Sequence, residues 1–197
     1  MKSITEESSA QVIIKKSKFI AHLCEFSRFK ERLLSLKKEH IKAVHFVYAY
    51  RFLNEFHQII EDKSDDGEPR GSSGQSALSV LRGGGLINVA IIIVRYFGGV
   101  KLGVGGLVRA YTEATNEALR LANTYEFEPK ASFSLELELA KFEKIKHFCL
   151  KNQLEFSPEF GLKSVLLLLK LNNNEEQNFK KFLEAQHLIL KLKKISN

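Results

Sequence analysis

Asn88-Val89-Ala90-Ile91-Ile92-Ile93-Val94-Arg95-Tyr96 is the stretch on which the fold of this chain turns. Its apolar run, Val89 to Val94, does not alternate with polar residues, so both faces of the segment must be buried. It falls far short of the roughly 20 residues that a membrane helix needs. The segment therefore reads as the central strand of a sheet. Downstream, the glycine-rich link Phe97–Gly106 leads into a helix expected over Leu107–Ala122. Its inward stripe would be Leu107, Tyr111, Ala114, Ala118 and Leu121, with Arg109, Glu113, Asn116, Glu117 and Arg120 outside.

Upstream, Gln11–Phe26 reads as one extended stretch, and Ser27 as the cap of a helix carrying Phe29, Leu33 and Leu36 up to Lys38. Ala43–Phe52 is a second strand, with Val44, Phe46, Tyr48, Tyr50 and Phe52 on one face and His45, Val47 and Ala49 on the other. Phe56–Glu61 is expected to pair with it. The polar segment Asp62–Gly74 ends at Ser72 and Ser73, either of which could cap a helix over Gln75–Leu81, and Arg82-Gly83-Gly84-Gly85 stops that helix.

Beyond Pro129 the pattern changes. Phe133, Leu135, Leu137 and Leu139 alternate with Ser134, Glu136 and Glu138. A helical stripe of Phe142, Ile145, Phe148 and Cys149 follows. Leu154–Ser157 and Lys163–Leu171 are expected strands joined across Pro158 and Gly161. Asn174 is the expected cap of a helix with Phe179, Phe182 and Leu183, and His187–Lys193 is the last strand. The order β-α-β-β-α-β is ferredoxin-like. The expectation is an α+β protein of two domains, 1–128 and 129–197.

The chain has 197 residues, a formal net charge of +7 and a hydrophobic content of 44%, enough to build ordinary cores. Met1–Ala10 holds no apolar stretch of a secretory signal. The cysteines, Cys24 and Cys149, show no metal-ligand spacing. Reduced thiols in a cytoplasmic protein, with no membrane association, are expected. The basic balance favours polyanionic partners.

Two segments carry the candidate chemistry. In Arg95–Tyr111, a strand runs through a glycine-rich loop into a helix start, where backbone amides and the helix dipole favour an anion. Arg95, Lys101 and Arg109 would stand near that end with Gly103, Gly105 and Gly106. A cation there is unfavourable by about 0.3–1 kcal/mol unless an anion occupies the site. The alternative is that the glycines serve only turns and packing, with Lys101 and Arg109 solvated. Neither the P-loop nor the dinucleotide-binding pattern is present, and no cofactor is expected. In the other segment, Asp65, Asp66 and Glu68, with Arg70, Ser72 and Ser73, could form a ligand loop. Carboxylates suit Mg²⁺ or Ca²⁺ but lack EF-hand spacing. The alternative is an acidic turn paired in the fold with Lys101 or Arg95. Gly71–Gly74, entering a helix, is a second potential anion seat. No bound metal and no catalytic residue are assigned, and His45 reads as a partly buried structural histidine.

Ser64-Asp65-Asp66-Gly67-Glu68-Pro69, with Gly71 and Gly74, and the block Arg95–Tyr111 together resemble the signature of the IMPACT family. Lys16-Ser17-Lys18-Phe19-Ile20-Ala21 and His45 with Ala49-Tyr50 fit the same pattern, so the resemblance spans Lys15–Leu121. The C-terminal part resembles bacterial YigZ-type members in architecture. The resemblance implies a first domain similar to a domain of a small-subunit ribosomal protein and a second similar to the last domain of elongation factor G. Both likenesses point to RNA or the ribosome. Eukaryotic relatives modulate a translation-initiation-factor kinase, through a further N-terminal domain. One departure stands out: the family's Gly-Thr-Ala-Gly-x-Pro is here Gly71-Ser72-Ser73-Gly74-Gln75-Ser76, which loses a helix-start proline but keeps hydroxyls.

Three functions follow as expectations. The first is a non-enzymatic module that binds RNA or the ribosome, holding phosphates with Arg95, Lys101, Arg109 and the Gly103–Gly106 amides. The second is a protein–protein adaptor in translation control. The third is a metal-assisted hydrolase using Asp65, Asp66 and Glu68. In the C-terminal domain, the outward Ser134, Glu136 and Glu138 offer no aromatic surface for bases, although Lys163, Lys170, Lys191 and Lys193 could touch phosphates.

Overall fold

A computed structural model describes residues 1–186 and 192–195. It divides into two compact units, Met1–Phe127 and Glu128–Asn197. The first contains β1 (Lys2–Ile4), β2 (Ser8–Ile14), β3 (Ser17–Glu25), α1 (Phe29–Glu39), β4 (His45–Leu53), β5 (Ile59–Ser64), α2 (Gly74–Gly83), β6 (Val89–Tyr96), α3 (Val104–Arg120) and β7 (Thr124–Glu126). Five of these strands form an antiparallel sheet in the order β2-β3-β6-β4-β5. The central strand is β6, and Val89 to Val94 are all fully buried. Val89, Ile91 and Ile93 pack towards α2 and α3, in one core with Leu81, Leu107 and Tyr111. Ala90, Ile92 and Val94 pack towards α1, with Phe29 and Leu36.

Local expectations shift where short-range signals were weak. Gln11–Phe26 is not one strand but a hairpin. Lys15 and Lys16 take φ of 45° and 67°, the left-handed pair of a tight two-residue turn that asparagine and glycine usually announce. Ser27 lies in a single 3-10 turn, Phe26–Arg28, and caps no helix. The strand expected at Phe56–Glu61 lies at Ile59–Ser64. The third helix starts at Val104, so Gly105 and Gly106 are helical despite a propensity cost of about 1 kcal/mol each. A Cβ on Gly106 would stand 3.0 Å from that of Leu102. Leu121, expected inside, is exposed.

The second unit contains β8 (Ala131–Glu138), α4 (Leu139–Lys151), β9 (Glu155–Phe160), β10 (Ser164–Leu171), α5 (Asn173–Ala185) and β11 (Lys193–Lys194). Its antiparallel sheet runs β11-β8-β10-β9, the ferredoxin-like order. Phe142 and Ile145 of α4 and Phe179 and Leu183 of α5 close the core over Leu135, Leu137 and Leu167. Leu139, counted inward from the alternation, is an exposed first residue of α4. The cap of α5 is Asn172 rather than Asn174: its side chain accepts from the Glu175 amide while the Glu175 carboxylate accepts from the Asn172 amide. Pro158 sits inside β9 rather than at a joint, tolerated because β9 is an edge strand. Of the expected strand His187–Lys193, residues 187–191 lie outside the described residues. The solvent face of this sheet carries Glu136 and Glu138 beside Glu155 and Glu159, and Lys170 pairs with Glu155 at 3.0 Å.

Under α1, His22 is buried with its Nε2 unpartnered. Nδ1 stands 3.4 Å from Arg32 and 3.7 Å from Glu7. Burial, then the Arg32 charge, lowers its pKa from 6.5 to about 4, against an opposing pull from Glu7. The unfolded chain therefore binds a proton between these values that the folded chain refuses. Stability should be fully present above pH 6.5 and fall as pH drops towards 4. A pH series of urea midpoints should show this slope in the wild type and a shallower one in His22→Gln.

Candidate functional site

The end of β6 gathers both segments singled out by the sequence. Strand register sets Phe19, Arg95 and His45 side by side across β3, β6 and β4. Tyr111 descends from the third turn of α3, its ring edge-on to Phe19 at 5.1 Å. Glu68 reaches in from the loop after β5. One carboxylate oxygen, Oε1, accepts from the Arg95 guanidinium and, at 2.7 Å, from the Tyr111 hydroxyl. His45 Nε2 stands 3.8 Å from the same oxygen. Only 3% of the Glu68 side chain and 6% of the Arg95 side chain are exposed, so the pair is shielded from solvent screening. Burial, then Glu68, raises the Tyr111 pKa, which keeps the phenol a donor. The Arg95 guanidinium also lies over the Phe19 and Phe97 rings, at 5.4 and 5.9 Å from their centroids. Its Nε has no hydrogen-bond partner among the described residues.

This corrects the placement expected for Arg95. It is not a surface ligand at the glycine loop but the buried partner of Glu68, which was the alternative reading of the acidic turn.

The remaining acids are also engaged within the fold. Asp65 closes the entry to α2: Oδ1 accepts from the Ser73 hydroxyl at 2.6 Å and the Gly74 amide at 2.9 Å, and Oδ2 from the Gly71 amide at 2.7 Å. Burial raises the Asp65 pKa, but the bonds from Ser73, Gly71 and Gly74 outweigh it and the net shift is downward. The second anion seat expected at Gly71–Gly74 is thus filled by the protein's own carboxylate. Ser73, the residue preceding α2, spends its hydroxyl on Asp65 rather than on the helix. The Ser72 hydroxyl donates to the Pro69 carbonyl at 2.7 Å. Asp66 Oδ2 accepts from the Phe46 amide at 2.6 Å, and its carbonyl lies 2.7 Å from His45 Nδ1. A carbonyl only accepts, so Nδ1 carries the proton and Nε2 faces Glu68. Arg70 is exposed. With Asp65, Asp66 and Glu68 holding three different internal contacts, they do not converge, and among the described residues no group of His, Cys, Asp or Glu is arranged to hold a metal.

The entry to α3 is built differently. Gly98 crosses the β2–β3 turn so closely that a Cβ would stand 2.1 Å from the Lys16 carbonyl carbon, and its amide donates to Ser17 Oγ at 3.1 Å. Gly103 precedes the helix with φ of 70°, and no side chain caps it. No acid stands in the first turn, where Gly105 and Gly106 lie. Lys101 and Arg109 are exposed and make no ion pair among the described residues. Around them Phe97, Val100, Val104 and Val108 are also exposed. The contacts of Ser17 and Tyr111 were not readable from local pattern, because both depend on register between distant segments.

The same segments decide the relationship. Residues 15–119 match the family model described as the Impact N-terminal domain. The chain belongs to the IMPACT family. It is 31% identical over 169 residues to an IMPACT family member of Haemophilus influenzae, a match covering 84% of this chain and 82% of that one. IMPACT family member YvyE of Bacillus subtilis is 38% identical over 59% of this chain and 54% of its own length. IMPACT family member YigZ of Escherichia coli is also 38% identical, over 64% and 63%. The chain thus spans between about half and four fifths of these relatives. A crystal structure described as a hypothetical protein covers 98% of this chain and 96% of its own, with a TM-score of 0.71 at 29% identity. The Glu68 cluster, both glycine-rich helix entries and Ser17 all fall inside the matched IMPACT domain.

Glu68→Ala, which strands the Arg95 charge, should cost about 3–5 kcal/mol in urea denaturation. Tyr111→Phe should cost about 1.5–3 kcal/mol, and the double variant less than the sum because both act on one carboxylate. Gly98→Ala should destabilise by about 1–3 kcal/mol or more, since the opposing atoms are backbone.

Proposed function

We propose that the protein is a non-enzymatic binding module that seats phosphates of RNA or of the ribosome at the open entry to α3. Lys101, Arg109 and the Gly103, Gly105 and Gly106 backbone form the seat. The contrast between two helix entries carries this reading. At α2 the dipole and amides are satisfied by Asp65. At α3 no acid stands in the first turn and no side chain caps it, while the exposed Lys101 precedes the helix and the exposed Arg109 lies in its second turn. A cation at a helix start is disfavoured by about 0.3–1 kcal/mol unless an anion joins it, an effect confined to the first turn and so acting on Lys101 rather than on Arg109. The net charge of +7 supports a polyanion. The family resemblance read from the sequence supports a setting in translation, and the two widely spaced cysteines, Cys24 and Cys149, suit the reducing cytoplasm. No helix of the described residues is long and apolar enough to cross a membrane.

A second reading, a protein–protein adaptor in translation control, is favoured by the exposed Phe97, Val100, Val104 and Val108 around the same loop.

Co-sedimentation with ribosomes and RNA across a salt series tests both. The wild type should associate in a salt-sensitive manner, and a folded Lys101→Glu/Arg109→Glu variant should lose that association. Loss of two phosphate contacts should also flatten the dependence of log affinity on log salt by about 1.4 for a single strand. Association that resists both nuclease and salt would favour the adaptor.

A further inference from the structure

The geometry points to Phe97 as a stacking platform for one unpaired nucleic-acid base beside the glycine loop, an inference that rests on the phosphate-binding reading above. Phe97 follows the last residue of the central strand and is 50% exposed. One face of its ring is backed by the Arg95 guanidinium, 5.9 Å from the centroid. That guanidinium is itself held by Glu68 and lies over Phe19. With Arg95 on one face and half the residue in solvent, the ring has exposed surface left for a planar partner. The chain next to the ring is immobilised as well, because Gly98 presses on Lys16–Ser17 and donates to Ser17 Oγ. A planar group fixed before its partner arrives loses little entropy on binding.

The surroundings discriminate between partners. The backbone of Lys16 abuts Gly98 and Lys101 follows on the same loop, whereas Lys18, with its ammonium 4.7 Å over Tyr96, lies on the opposite face of the sheet. Lysine is depleted at the centre of protein–protein interfaces. Aromatic rings set among cations are the pattern of single-stranded nucleic-acid binding, in which a base stacks while its phosphates meet the charges. Bases in a duplex are already stacked on each other and do not offer a free face. The occupant is therefore an unpaired nucleotide.

The test uses the full chain and fluorescence anisotropy with three probes: a twelve-nucleotide oligoadenylate, the same backbone made abasic, and a duplex containing the oligoadenylate. Wild type should bind the oligoadenylate about tenfold more tightly than the abasic strand, the size of one base stack. Phe97→Leu should abolish that preference and leave abasic binding unchanged, whereas Phe97→Tyr should retain it. Circular dichroism on each variant checks the fold. Equal wild-type affinity for the base-bearing and abasic strands would overturn the platform while leaving phosphate binding intact. So would a Phe97→Leu variant that weakened both strands alike, or one whose preference survived. No salt-sensitive binding of any probe would overturn the phosphate reading and the platform together.

Discussion

One buried carboxylate organises the first domain. Glu68 sits where three strands and a helix meet, and the Arg95 guanidinium, the Tyr111 hydroxyl and His45 converge on it. Removing a carboxylate and a guanidinium from water carries a desolvation cost that only good geometry and further hydrogen bonds offset. Here the phenol supplies such a bond. The consequence is positional: the loop after β5, the end of β6 and the third turn of α3 cannot move apart without leaving a charge unpaired in a dry environment. Packing alone would hold these elements together, but it would not specify their register so sharply.

That constraint extends to the surface. Because Arg95 is pinned beneath Phe97, the chain leaves the sheet in a defined direction and passes over Lys16–Ser17, where only glycine fits. The following residues then enter α3 with a left-handed Gly103 and no cap. On the other side of Glu68, Asp65 bends back and occupies the amides at the start of α2. Two glycine-rich helix entries therefore flank one ion pair, and one of them has its anion built in. The open one is preceded by the exposed Lys101 and followed by the exposed Arg109, and the functional reading depends on that asymmetry.

Strongly patterned elements were legible in advance. The non-alternating run of β6, the alternation of β8 and the helical stripes of α4 and α5 are set by burial that repeats along the chain, so sequence spacing reports them directly. The hairpin at Lys15-Lys16 was not legible, since lysine gives no turn signal and its left-handed conformation is imposed by pairing with β3 and β6. The α5 cap was misplaced within Asn172-Asn173-Asn174 because neighbouring asparagines look alike until Glu175 completes a reciprocal pair with one of them. At the site, the two informative segments are identifiable by composition, but the burial of Arg95 against Glu68 is not. A charged residue ending an apolar strand can lie inside or outside. Only the arrival of Glu68, 27 residues away, settles which.

By itself the sequence determined the α+β class, the ferredoxin-like order of the second half, membership of the IMPACT family and the two segments that carry the family signature. These properties follow from periodicity and motif, which are local along the chain. Tertiary structure decided which charges are spent internally and which remain in solvent. Asp65, Glu68 and Arg95 are consumed by contacts between segments distant in sequence, whereas Lys101 and Arg109 are left in water. The physical reason is that a charge's role depends on its burial and on the partner within hydrogen-bonding reach, and both are set by strand register and loop closure rather than by neighbours in the chain.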